Sequence, residues 1–173
     1  DFDGTLTTFN VDPSRPTLRE ETRRALEALS SREDVTVGLV SGRRLEDLDQ
    51  RTSLPSEVYL AGLHGLEIRH GDDAWHHPDL LESRDVVDAV VDQMAEAVGH
   101  VPGVRLEHKG VALTVHVRGV APLSRQAVLD EADLVAQPWI ERGVLKALEA
   151  NEALEFLPNI PWTKGDAVQW IVD

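Results

Sequence analysis

The chain opens on Asp1-Phe2-Asp3-Gly4-Thr5-Leu6. Two carboxylates stand at i and i+2, where a strand would end and a glycine turn begin. Alternate side chains of a strand share a face, so both can reach one site. One can serve as nucleophile and the other as general acid. The plainer reading is an acidic strand-to-turn boundary, where Asp and Gly are common. A motif on the first residue implies a strand before it, and Lys164–Asp173 reads as a helix without a stop signal. The chain is therefore expected to be a fragment, cut at both ends.

Two further stretches carry chemistry. In Val37-Gly38-Leu39-Val40-Ser41-Gly42-Arg43 a hydroxyl ends an apolar strand and a glycine opens a helix. The Ser41 hydroxyl and the amides from Gly42 onward could grip a phosphate oxygen, at the carboxyl end of a strand where open α/β sheets place their sites. The plainer reading of Ser41 is a helix N-cap. In Trp162-Thr163-Lys164-Gly165-Asp166-Ala167 a lysine begins a helix, against the helix dipole.

Between these motifs the periodicity predicts α/β structure. Thr17 and Glu20 match a capping box, opening a helix over 17–31. Strands are expected at 35–40 and 58–61, with a helix from Arg43 to Gln50. The pattern changes near residue 63: a strand at 66–69, a helix capped by Ser83, alternating strands at 104–108 and 111–118, helix over 123–136 and again to about Ala150, and a short strand at 155–157. The expected domains are a core of 1–62 and 158–173, with an inserted α+β unit over 63–157.

Composition bounds the function. The chain has 173 residues, no cysteine and a formal net charge of −14. Thiolate sites and disulfides are excluded, a nucleic-acid partner is not expected of so acidic a chain, and no apolar run reaches membrane-spanning length. These features, with no basic and apolar leader ahead of Asp1, point to a cytoplasmic enzyme. The acidity reads first as a solvated surface, with adaptation to high salt as the sharper alternative.

D-x-D-G-T-L, the Ser41-Gly42 turn and Lys164 together resemble the haloacid dehalogenase superfamily. Gly62-Leu63-His64-Gly65-Leu66-Glu67, Leu106-Glu107-His108-Lys109-Gly110, Thr114-Val115-His116-Val117-Arg118, and Glu155 and Pro158 ahead of Lys164 resemble its trehalose-6-phosphate phosphatases in order and spacing. The resemblance implies a haloacid dehalogenase core with an inserted cap domain. It implies that Asp1 attacks phosphorus, that Asp3 protonates the leaving alcohol and then activates water, and that Lys164 pairs with Asp1 and the phosphate. Mg2+ would lie against Asp1 and the backbone carbonyl of Asp3. Ser41 and Gly42 would bind phosphate; His64, Gly65, Glu107, Lys109 and Glu155 would bind sugar. The partner would be a small sugar phosphate, with a trehalose-phosphate synthase as a further one.

There are departures. His108 stands where the family often has Asn, and Leu157 where it usually has Arg. The acidic fourth motif, expected about 20 residues after Lys164, lies beyond the chain's end. Two alternatives stay open: a phosphatase or phosphomutase for another sugar phosphate, and an inactive domain that binds sugar phosphate.

Overall fold

A computed structural model of the chain describes residues 1–10, 12 and 14–173. It divides into two compact units, Asp1–His77 with Pro161–Asp173, and Pro78–Ile160.

The first unit holds a four-stranded sheet ordered β1 (Gly38–Val40), β2 (Tyr59–Gly62), β3 (Glu67–His70) and β4 (Asp73–His76). The β1–β2 pair is parallel and the remaining pairs are antiparallel. Helices α1 (Glu20–Ser30), α2 (Leu45–Thr52) and α5 (Lys164–Val172) belong to this unit. Phe2, Leu39, Leu48, Leu54, Val58 and Leu60 form one buried cluster. Val40, Ala61, Ile68 and Ala167 form another, with Trp75, Trp162 and Ile171 packed against it.

The second unit is an antiparallel sheet ordered β5 (Arg105–His108), β6 (Leu113–His116), β8 (Ala153–Pro158) and β7 (Leu145–Ala150), with helices α3 (Arg84–Val98) and α4 (Pro122–Glu141). Its core joins Val87, Val90, Met94 and Val98 of α3 and Val128, Ala132 and Ala136 of α4 to Leu113, Val115, Leu154 and Phe156 of the sheet. Strand alternation therefore turns one face of the sheet to the helices. The other face carries the row Glu107–Thr114–Glu155, aligned across three strands.

Several expectations are corrected. Residues 63–77 belong to the first unit, because β3 hydrogen-bonds to β2 and β4 to β3. Residues 158–160 fall in the second, where Pro158 still pairs with Leu145. Strand β4 is too polar and exposed to announce itself by pattern. Residues 145–150 are a strand, not a helix. Their composition, LKALEA, favours helix, but six pairings with β8 override that weak preference. The Thr17 capping box does not form, and α1 starts at Glu20. The Leu18 amide donates to the Arg51 carbonyl and an Arg51 guanidinium N–H to the Pro16 carbonyl, which holds 16–18 against α2 ahead of the helix.

Candidate active site

Asp1 and Asp3 stand on a tight turn. The amides of Leu6 and Thr7 donate to the Phe2 carbonyl, and Gly4 N–H to that of Thr7. The fully buried Phe2 ring anchors this turn in the core. The Asp1 carboxylate accepts from the Phe2 amide through Oδ1 at 2.8 Å. Its Oδ2 accepts from Lys164 Nζ, also at 2.8 Å.

Helix α5 brings that lysine in. Thr163 is the N-cap, its hydroxyl accepting from the Asp166 amide while the Asp166 carboxylate accepts from the Thr163 amide. This reciprocal box fixes the first turn, where Lys164 sits. The Thr163 hydroxyl and amide hydrogen bonds hold the Asp166 carboxyl below its ordinary range.

Ser41 follows β1 and is buried. It is not the N-cap of α2, which begins at Leu45; its Oγ accepts from the Arg43 amide at 3.3 Å. The Ser41 carbonyl accepts from the His64 amide and the Arg43 carbonyl from the Leu63 amide, lacing the turn after β1 to the turn after β2. That approach requires glycine at position 62, where a Cβ would lie 2.3 Å from the Leu45 nitrogen. Leu63 and His64 both take positive φ, 47° and 60°. Gly65 faces α5, and its carbonyl accepts from Trp162 Nε1 at 3.0 Å.

Arg43 stands in a quoted motif, but sequence reasoning gave it no role. Its Nε donates to Asp3 Oδ2 at 2.7 Å, its Nη2 to Asp3 Oδ1 at 2.8 Å, and its Nη1 to Asp47 Oδ2 at 2.8 Å. Burial disfavours the guanidinium's charge, yet the hydrogen bonds to Asp3 and Asp47 outweigh it and raise the Arg43 pKa. Asp47 behaves conversely: burial pushes its pKa up, and hydrogen bonds from Arg51 and Arg43 bring it below the ordinary value. The available signal was an arginine directly after Ser-Gly at a strand's carboxyl end.

Two ion pairs thus join the three motifs, Asp3 with Arg43 and Asp1 with Lys164. No cluster of three or more His, Asp or Glu residues forms among the described residues. Asp1 and the Asp3 carbonyl offer hard oxygen donors, and Mg2+ commonly takes only one or two carboxylates and keeps several waters. The residues present fit part of such a shell.

Glu107, Lys109 and Glu155 lie in the second unit. Lys109 Nζ donates to Glu155 Oε1 at 2.6 Å, and the Thr114 hydroxyl to the same oxygen at 3.3 Å. Lys109 and Glu155 are both buried. Glu107 instead pairs with His116, at 2.7 Å. Glu107 and Lys109 thus make separate contacts: Lys109 leaves the strand at the hairpin and reaches the neighbouring Glu155.

Comparison with known proteins agrees with this architecture. The trehalose-phosphatase family model matches residues 1–173. The trehalose-phosphate phosphatase of Mycobacterium marinum is 32% identical over the whole chain, and that of Mycobacterium tuberculosis 33%. The chain spans 43% of the length of each. The C-terminal domain of the Candida albicans trehalose-6-phosphate phosphatase superposes with a TM-score of 0.82, at 22% identity, over 97% of this chain and 58% of that one. The fold is thus the haloacid dehalogenase-type α/β core with an inserted α+β unit. No helix among the described residues is long and apolar enough to cross a membrane. The chain belongs to the trehalose-phosphatase family.

Proposed function

We propose that the protein containing this chain hydrolyses trehalose 6-phosphate to trehalose and phosphate through an aspartyl phosphate. The observation that carries this reading is the 2.8 Å contact between Asp1 and Lys164 across nearly the whole chain. A lysine beside a carboxylate nucleophile aligns it and offsets the charge of an incoming phosphate.

In the first step an Asp1 oxygen attacks phosphorus, and the bond from phosphorus to the sugar oxygen breaks. Asp3 gives that oxygen its proton. In the second step Asp3 takes a proton from water, whose oxygen attacks phosphorus; the bond to Asp1 breaks and phosphate leaves. The Ser41 hydroxyl, the Gly42 amide and Lys164 would hold the phosphoryl oxygens. Asp1 and the Asp3 carbonyl would hold Mg2+, which supplies charge neutralisation when bound. The second unit would act as the substrate-selecting cap, with Glu107, Lys109 and Glu155 as its sugar-binding residues; His64 and Gly65 are the residues of the first unit given that role by the family resemblance. Its expected setting is the cytoplasm. A synthase partner is carried only by the family resemblance.

The test is phosphate release from trehalose 6-phosphate by the full-length protein with and without Mg2+. Asp1→Asn, which lacks a nucleophilic oxygen anion, should lose turnover by several orders of magnitude. Full activity in that variant sinks the mechanism, and phosphate returned to the sugar rather than released marks a mutase.

A further inference from the structure

We propose that Arg43 is a holding site for Asp3, which occupies both carboxylate oxygens in the substrate-free protein and must be partly released before Asp3 can serve the leaving oxygen. The inference rests on the role given to Asp3 above, and adds a control on it.

The geometry is a parallel fork: guanidinium Nε and Nη2 donate at 2.7 and 2.8 Å to the two oxygens of Asp3. Such pairing is directional, and it fills the in-plane lone pairs of the ionised carboxylate, one of which must instead carry the proton that Asp3 gives to the leaving oxygen. One member of the pair must yield when a leaving group arrives.

The surroundings indicate which one. The Arg43 side chain is 8% exposed, against 28% for Asp3. Its third edge is bound to Asp47, which is bound in turn by Arg51; Arg51 reaches the carbonyls of Ser14 and Pro16. The guanidinium also lies 5.2 Å over the buried Phe2 ring. The Arg43 backbone is tied at both ends, its amide to Ser41 and its carbonyl to Leu63. Asp3 has no comparable scaffold beyond the turn it sits on. Arg43 is therefore the fixed member and Asp3 the one that swings.

A contact present in the free enzyme and weakened in the transition state lowers kcat/KM. Loosening it should raise kcat/KM for a substrate whose leaving group needs Asp3, and leave alone one whose leaving group does not. Trehalose 6-phosphate is the first kind and p-nitrophenyl phosphate the second. In the full-length protein, Arg43→Lys keeps the charge but cannot form the fork. The ratio of kcat/KM for trehalose 6-phosphate to that for p-nitrophenyl phosphate should rise about three- to tenfold. A lower ratio would make Arg43 a productive positioning residue, and an unchanged ratio a purely structural one; either overturns the holding site.

A second measurement does not depend on Arg43→Lys folding. The Nε–H resonance of Arg43 in the Asp1→Asn protein should show slow solvent exchange when free, and lose that protection when trehalose 6-phosphate is added. An unmoved resonance on binding also overturns the proposal. A wild-type protein that does not hydrolyse trehalose 6-phosphate removes the functional reading and this one together. An inactive Asp1→Asn with an unmoved Arg43 removes only the holding site.

Discussion

A Cβ placed on Gly65 would stand 2.2 Å from the Cβ of Ala167, the buried alanine of helix α5. Gly65 also has φ of 98°, where a side chain is strained. The glycine thus lets the turn after β2 touch the helix that carries Lys164. Gly65→Ala should cost about 1–3 kcal/mol through overpacking, with backbone strain added. Because α5 must shift, Lys164 should shift from Asp1 with it. We expect a lower melting temperature and a loss of kcat on trehalose 6-phosphate and p-nitrophenyl phosphate alike. A loss confined to the sugar substrate would instead favour a direct sugar contact for Gly65.

Removing the lysine itself should act on chemistry more than on binding. Lys164→Ala is expected to lower kcat by about 10²–10³, the range found when a preorganised charge-stabilising donor is deleted. The pair is more than a third exposed, so stability should change little. Kinetics and thermal melting on one sample separate the two effects. An unaltered kcat would remove Lys164 from the phosphate site.

The carboxylate pair, the Ser41 turn and Lys164 were legible in the sequence because each lies in a short stretch whose residue types have a common use at a strand or helix end. Arg43 was written in the same stretch but not legible, since its meaning lies in contacts with Asp3, 40 positions away. The same limit hid β7: Leu145–Ala150 favours helix locally and is made a strand by β8. The Thr163–Asp166 box was readable in principle, as T-x-x-D, but the lysine between them drew the interpretation. The second unit's polar row was half legible. The alternating strands at 104–108 and 111–118 could be read locally, and only the strand order reveals Glu155 as a partner of Lys109.

Asp47 ties Arg43 to Arg51, and its stabilising effect should depend on pH. Its folded pKa is depressed, so the unfolded state binds its proton more tightly. The contribution is therefore present above the unfolded value, 3.8, and is lost as pH falls through the lower folded value. Asp47→Asn should destabilise the protein at pH 7 by about 1–2 kcal/mol, a figure discounted because its side chain is a third exposed. Urea unfolding of both proteins from pH 7 to pH 3 checks this. The difference should shrink only below about pH 4. A difference that is flat over that range would mean that the hydrogen bonds survive in the amide or never mattered.

Lys109 and Glu155 offer the sharpest stability test, because their side chains are 8% and 6% exposed. A buried ion pair contributes little net stability, but a buried charge left alone is costly. Lys109→Met keeps the chain length of the stem and removes the ammonium. Glu155 then keeps the Thr114 hydroxyl but loses the Lys109 ammonium. The single variant should lose about 3–5 kcal/mol at pH 7. The double variant Lys109→Met/Glu155→Leu should recover most of that, since two apolar side chains replace two compensated charges. Chemical denaturation without substrate reads this independently of sugar binding, and a double-mutant cycle isolates the pair's coupling. Additive losses in the double variant would show that each residue is held by other contacts. Recovery of stability without recovery of trehalose 6-phosphate turnover would instead separate the pair's two roles, one in the fold of the second unit and one at the sugar.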